Sequence, residues 1–274
     1  MTSASGSGVH LKWPALAALA LVSAVGLVAF GWPLLADSAS TLGSTSTGSW
    51  LFIVLLPLLI VVLLAEIAGG GVDAKAIALL GVLSAVGAAM RPLGGITGFQ
   101  PMFVLLILGG RVLGPGFGFV LGSVTMFSSA LLTGGVGPWL PFQMLGGAWV
   151  GLFAGLLPRS RGRAETWLLA AYGAVSAMAF GLLLDLWNWP YTTGLGSSIS
   201  FQPGAPLHDN LGRFAAYYFA TSLGWDLTRA IGSAVLLLLF GAAALRALRR
   251  ASRRAAFGAA VEFQQPPAVV GTVA

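Results

Sequence analysis

RPLGGITGFQPMFVLLILGGRVLGPGFGFVLGSVTMFSSALLTGGVGPWLPFQMLGGAWVGLFAGLL, residues 91–157, is apolar enough to sit in a bilayer, yet Gly and Pro interrupt it at short intervals. In lipid, a backbone freed by such breaks is tolerated only where protein or a cavity satisfies its polar groups. The stretch therefore predicts short, closely packed helices around something, not simple anchors. The rest of the chain reads as helices that complete the assembly.

Composition sets the frame. Of 274 residues, 57% are hydrophobic and 8% charged, and the mean hydropathy is +0.90. These values exclude a disordered or ordinary soluble protein and point to a polytopic, all-α membrane protein. A spanning helix takes roughly 20 apolar residues, which leaves room for about six to eight spans and no soluble domain. The absence of cysteine removes disulfides, thiolate metal sites and thiol nucleophiles. A net charge of +6 invites a nucleic-acid reading. Most Lys and Arg lie at the ends of apolar runs, however, where membrane topology places them. No nucleic-acid partner is expected.

Working outward, the pattern predicts a polar leader over residues 1–13, two additional helices within 14–68, a six-helix core over 69–245 and a basic tail over 246–274. The eight expected spans are Pro14–Ala36, Trp50–Ala68, Ala76–Met90, Pro101–Val112, Phe119–Leu132, Phe142–Leu157, Thr166–Trp187 and Arg213–Leu245. A signal peptide is the rival reading of the first; its length and its weak cleavage-like end favour a retained helix. The last is too long for one perpendicular crossing, so it tilts, breaks or projects from the bilayer. Between spans, Arg91–Gln100, Gly114–Gly118, Thr133–Pro141 and Asn188–Asn210 read as loops or turns.

With the N terminus inside, Lys12, Lys75, Arg111, Arg159, Arg161, Arg163 and the tail arginines Arg246, Arg249, Arg250, Arg253 and Arg254 all fall on the inner side. Arg91 and Arg213 fall outside. That asymmetry predicts a multi-pass plasma-membrane protein with both termini cytoplasmic.

No catalytic constellation is present. His10 and His208 are the only histidines, and HExxH, GxSxG, a Walker lysine loop and paired carboxylates are all missing. Gly114–Gly118 looks superficially like a phosphate loop but lacks the Lys-Ser/Thr that would hold the anion. No enzyme, metal or cofactor is expected. Ionisable groups inside spans are the better lead, because they are costly there. Asp226 and Arg229, three apart, share a helix face, and Asp185 lies near the outer end of span seven. An internal ion pair tying spans seven and eight together explains them as well as a ligand does. On this topology Gln100, Trp139, Gln143, Asp185, Trp187, Asn188 and Trp189 converge near the outer face. Interfacial aromatic belts account for some of the tryptophans, but aromatic walls with a few polar groups also hold small molecules. Gln100, Trp139, Gln143, Asp185, Trp187, Asn188, Trp189 and Arg229 are thus the candidate substrate-binding residues. Gly81, Ala85 and Ala89 share one face of span three and let a partner helix come close.

Two runs carry a resemblance. Arg111-Val112-Leu113-Gly114-Pro115-Gly116-Phe117-Gly118-Phe119-Val120-Leu121-Gly122, followed by Gly134-Gly135-Val136-Gly137-Pro138-Trp139-Leu140-Pro141-Phe142-Gln143-Met144-Leu145-Gly146, is similar to the substrate-binding S components of energy-coupling factor (ECF) vitamin transporters. The similarity extends from about Lys75 to Leu245. It implies that spans three to eight are a six-helix core enclosing a vitamin near the outer surface. It also implies that loops 91–100, 133–141 and 188–210 cover the ligand. Gly81, Ala85 and Ala89 would then meet a membrane coupling subunit that carries two ATP-binding subunits, with Gly81 departing from the family's AxxxA pattern. Toppling in the bilayer would release the ligand inside. Among ligands the resemblance implies a micronutrient, with cobalamin or a related large vitamin favoured by the aromatic outer loops and riboflavin-like and other vitamins left open. Two other classes stay open on the sequence: a ligand-free membrane scaffold whose tail arginines meet anionic lipid, and a self-contained secondary transporter. The latter predicts inverted repeats and midplane charges, and no convincing repeat is found.

Overall fold

The computed structural model describes residues 13–35, 54–56, 58–61, 74–192 and 194–255, and every regular element among them is helical. The expected leader, the linker after residue 35, most of the second expected span and the end of the tail lie outside the described residues. The helices are α1 (Trp13–Phe30), α2 (Ala74–Met90), α3 (Met102–Leu113), α4 (Pro115–Thr133), α5 (Leu140–Leu156), α6 (Gly162–Asn188), α7 (Leu207–Thr221) and α8 (Leu223–Ala255). Helical turns at Trp32–Leu35, Arg91–Thr97 and Trp189–Tyr191 extend three of them. Four stretches are long and apolar enough to cross a membrane: Lys75–Gly94, Pro115–Thr133, Gly162–Tyr191 and Leu223–Arg253. Ala17–Phe30, Met102–Leu113 and Leu140–Leu156 are shorter apolar helices. The chain is a multi-pass membrane protein.

The glycines of the opening stretch explain how short helices are stable here. α4 packs along α5, and α3 lies against both. A methyl group added at Gly110 or Gly118 would collide with the Gly151 backbone, and one at Gly122 with the Gly147 backbone. The three helices therefore meet backbone to backbone, gaining dispersion contacts that any side chain would prevent. α3 has 12 residues, about 18 Å of helix against a hydrocarbon core of about 30 Å. It is tolerated because protein surrounds it: Met102, Phe103, Leu106 and Ile107 are fully buried.

α6 and α8 form the second long pair, α3 also touches α8, and α2 flanks α4. α1 lies on α5 and α6. Its Ser23 hydroxyl accepts a hydrogen bond from Trp149 Nε1 at 2.9 Å, and Phe30 packs edge-on against Phe142, 5.1 Å between centroids. From the second expected span, Leu55 and Leu59 are buried in the same core.

Several boundaries differ from the sequence reading. The expected eighth span is two helices, α7 and α8, separated at Ser222. Thr221 Oγ1 donates to the Tyr217 carbonyl at 2.8 Å and lies 3.1 Å from Ser222 Oγ. Such local hydroxyl bonds compete with helix continuation. α7 also begins inside the stretch expected to be loop, with Phe214, Tyr217 and Tyr218 buried on one face and His208 and Asp209 exposed. The Gly114–Gly118 turn shrinks to Gly114, whose φ of 102° reverses the chain. Pro115 then starts α4, a first-turn position where its missing N–H costs nothing. Arg91–Thr97 is a 3-10 helix, not open loop. α6 starts at Gly162, four residues early, which draws Glu165 into its first turn.

Candidate functional site

A cavity of about 300 Å³ opens where α6, α8 and the segment after the Arg91–Thr97 turn converge. Three glycines bring these elements together. Gly98, at φ 73°, closes the turn against Trp225 of α8. Two residues of that segment follow: the Phe99 ring rests on Gly232, and Gln100 lines the cavity. Gly181 of α6 has no side chain because the Asp226 carboxylate occupies that space.

Asp226 and Arg229 are the centre of the site, 2% and 9% exposed. Arg229 Nη1 donates to Asp226 Oδ1 at 2.7 Å and to the Ala177 carbonyl at 3.3 Å. Its guanidinium carbon lies 5.4 Å from the Phe180 ring centre and 5.9 Å from that of Phe103, within cation–π range. Tyr218 donates to Asp226 Oδ2 at 3.0 Å. Asp185 of α6 faces the same cavity beside the Ser222 hydroxyl. Two buried polar atoms at the site have no partner: Arg229 Nε and Gln100 Oε1.

Of the residues singled out in the sequence, Gln100, Asp185 and Arg229 line this cavity together. The others are not in its lining. Gln143 accepts a hydrogen bond from Arg91 Nη2 at 2.6 Å. Trp139 is 43% exposed and donates to the Gly135 carbonyl. Trp187 is buried against Phe142, 4.4 Å between centroids, with its Nε1 unpartnered. Asn188 is exposed and reaches Thr192. Trp189 is fully buried with Phe201, Phe214 and Tyr217, its Nε1 donating to the Ile199 carbonyl at 2.7 Å. Sequence reasoning left out Tyr218, Ser222, Trp225 and Gly181. A signal existed for part of this set: Tyr218, Ser222 and Asp226 recur at four-residue spacing, which puts polar groups on one helical face.

A second charged cluster went unread altogether. Glu165, 2% exposed, accepts from Arg111 Nε at 2.8 Å and from Arg249 Nη2 at 2.6 Å. Arg111 also donates to the Leu157 and Pro158 carbonyls. It joins α3, α6 and α8 some 20 residues along α6 from Asp185, about 30 Å away. Gly81, Ala85 and Ala89 are all exposed on α2, with nothing within 4 Å of the Gly81 position. Among the described residues no group of three or more His, Asp or Glu is placed to hold a metal ion.

No curated protein and no solved structure matches the chain. A family model, ECF transporter, substrate-specific component, matches residues 75–251, more than half of the chain. The matched stretch runs from the first turn of α2 into the last turns of α8, so it contains every helix that lines the cavity. The chain belongs to the substrate-specific components of ECF transporters, membrane subunits that bind and transport a substrate and catalyse no reaction.

Proposed function

We propose that the chain captures a micronutrient in the cavity between Gln100, α6 and α8 and passes it to a coupling subunit bearing two ATP-binding subunits. One observation carries this reading: a buried ion pair borders a cavity lined by Gln100 and Arg229, and of the Arg229 guanidinium only Nη1 is engaged by protein. Buried polar atoms are paired in the great majority of cases, so a ligand that completes them is favoured. The cavity lies at the small end of the roughly 300–1,000 Å³ found for small-molecule sites. That size favours a compact micronutrient; cobalamin would enter only with the surrounding loops opened.

The test is mass spectrometry of small molecules released from the purified, detergent-solubilised protein. A stoichiometric micronutrient in the wild type that is lost from Arg229→Gln supports capture at this cavity. A micronutrient retained equally by the variant places capture elsewhere.

The coupling subunit would dock on the exposed face formed by Gly81, Ala85 and Ala89, where small side chains permit close helix approach. The cavity end would face outward and the arginine-rich end inward, with both termini cytoplasmic. Arg111, Arg249 and the exposed Arg159 to Arg163 loop at the opposite end support that orientation. Because the chain has no cysteine, single replacements report it directly. Ser198→Cys should react with a membrane-impermeant maleimide in intact cells, and Ala164→Cys only after permeabilisation. The reverse pattern would invert the topology.

A further inference from the structure

We infer that the cavity selects a small organic cation rich in N–H donors, an ammonium or amidinium compound, and rejects carboxylates and phosphates. The inference rests on the cavity being the capture site and adds the chemistry of what it captures.

The charge inventory is uneven. Two carboxylates, Asp185 from α6 and Asp226 from α8, border the cavity against one guanidinium, Arg229. Arg229 is already committed to Asp226 and to the Ala177 carbonyl, and its faces are covered by Phe103 and Phe180. The Gly98–Gln100 segment adds no charge, and the Tyr218 phenol from α7 is spent as a donor to Asp226. Other basic side chains at this end are drawn elsewhere: Arg91 donates to Gln143, and Arg213 to the Ser197 carbonyl. With Asp226 neutralised by its partner, Asp185 is left as surplus negative charge with a hydroxyl beside it. The Gln100 side-chain amide, which no protein group engages, also lines the cavity. A planar amidinium would lay one N–H edge across Asp185 and Gln100, which is how a fork of donors meets oxygen acceptors. Trp225, 48% exposed at the rim, offers a ring face to a cation. An anion would meet two carboxylates in a poorly screened environment, against the Nε and Nη2 donors of a single guanidinium.

The experiment uses full-length protein in detergent and two probes built on one ring with opposite charges, benzamidine and benzoate. Binding is read by thermal unfolding and by equilibrium dialysis. The expected result is a Kd for benzamidine about tenfold or more below that for benzoate, equivalent to about 1.4 kcal/mol. Asp185→Asn should abolish the preference and Asp185→Glu should keep most of it. Should Asp185→Asn fail to fold, Gln100→Leu reads the same point: benzamidine weakens and benzoate does not. Preference for benzoate, binding of neither probe, or a preference untouched by both substitutions overturns the inference. Failure of the capture reading looks different. A retained anionic micronutrient lost from Arg229→Gln would overturn the charge class and keep the cavity, whereas a retained cation unaffected by both Arg229→Gln and Asp185→Asn would move the site.

Discussion

The two ends of the helix bundle each bury a carboxylate against arginine, and they use the pair differently. At one end Glu165 takes a hydrogen bond from both Arg111 and Arg249, while Arg111 spends its remaining donors on the Leu157 and Pro158 carbonyls and lies near Ser160. The cluster ties three helices and leaves no buried side-chain atom of its own unpaired among those described. At the other end Asp226 and Arg229 are buried as deeply, but they border an open cavity, and Arg229 Nε and Gln100 Oε1 have no partner. A satisfied buried network fixes geometry; a partly satisfied one holds interaction capacity in reserve. Burial and charge alone do not separate a clasp from a binding site. The count of unused donors and acceptors does.

This contrast can be broken from either side, and the largest effect is expected at the clasp. Glu165→Ala leaves Arg111 buried without its partner, and removing one member of a buried pair costs on the order of 3 kcal/mol. Thermal unfolding should show a marked loss of stability with micronutrient retention unchanged in the folded fraction. Unaltered stability would mean that the arginines are held by the carbonyls alone.

Gly181→Ala acts on the other end. Its methyl group would occupy the position of the Asp226 carboxylate, so the pair must shift or α6 and α8 must separate. A tenfold or greater loss of affinity is expected, about 1.4 kcal/mol or more, with a smaller change in melting temperature. Retention equal to wild type would show that the position of Asp226 is immaterial to the ligand.

Gly81→Leu sharpens the comparison from outside both clusters. Nothing lies within 4 Å of that position, so stability should move by about 0.5 kcal/mol or less. Co-purification with the coupling subunit should nonetheless fall, because bulk on that face blocks close approach. Normal assembly would remove the docking assignment.

The fold was largely legible because its signal is composition repeated over long runs. The apolar runs became helices, and the Gly-rich stretch became the backbone-packed α3–α4–α5 unit that its interruptions required. Legibility failed where a few atoms decide. Hydroxyls inside a hydrophobic run are a weak local cue: Thr228 bonds back to the Gly224 carbonyl within the unbroken α8, whereas the helix breaks beside Thr221 and Ser222. The break they make turns Tyr218 back onto Asp226. Asp185 and Arg229 were singled out because ionisable residues are costly in a bilayer, and they line the cavity with Gln100, which was grouped by depth. Trp139 and Gln143 were grouped with them on depth alone, and depth does not specify which way a side chain faces around a bundle. Glu165 was overlooked because its arginines lie 54 and 84 residues away in sequence, a pairing that only the packing of α3, α6 and α8 creates.

The glycine seam among α3, α4 and α5 also has a mechanical consequence. Helices in backbone contact have no interposed side chains that could switch rotamer and let them slide, so these three must move as one stiff slab. α6 and α8 meet that slab through side chains such as Phe103 on Phe180, 5.1 Å between ring centroids, and those can re-pack. An opening of the cavity that keeps this seam intact would be a hinge of the α6–α8 pair and the Gly98–Gln100 segment against the slab, with Arg229, between Phe103 and Phe180, at its pivot.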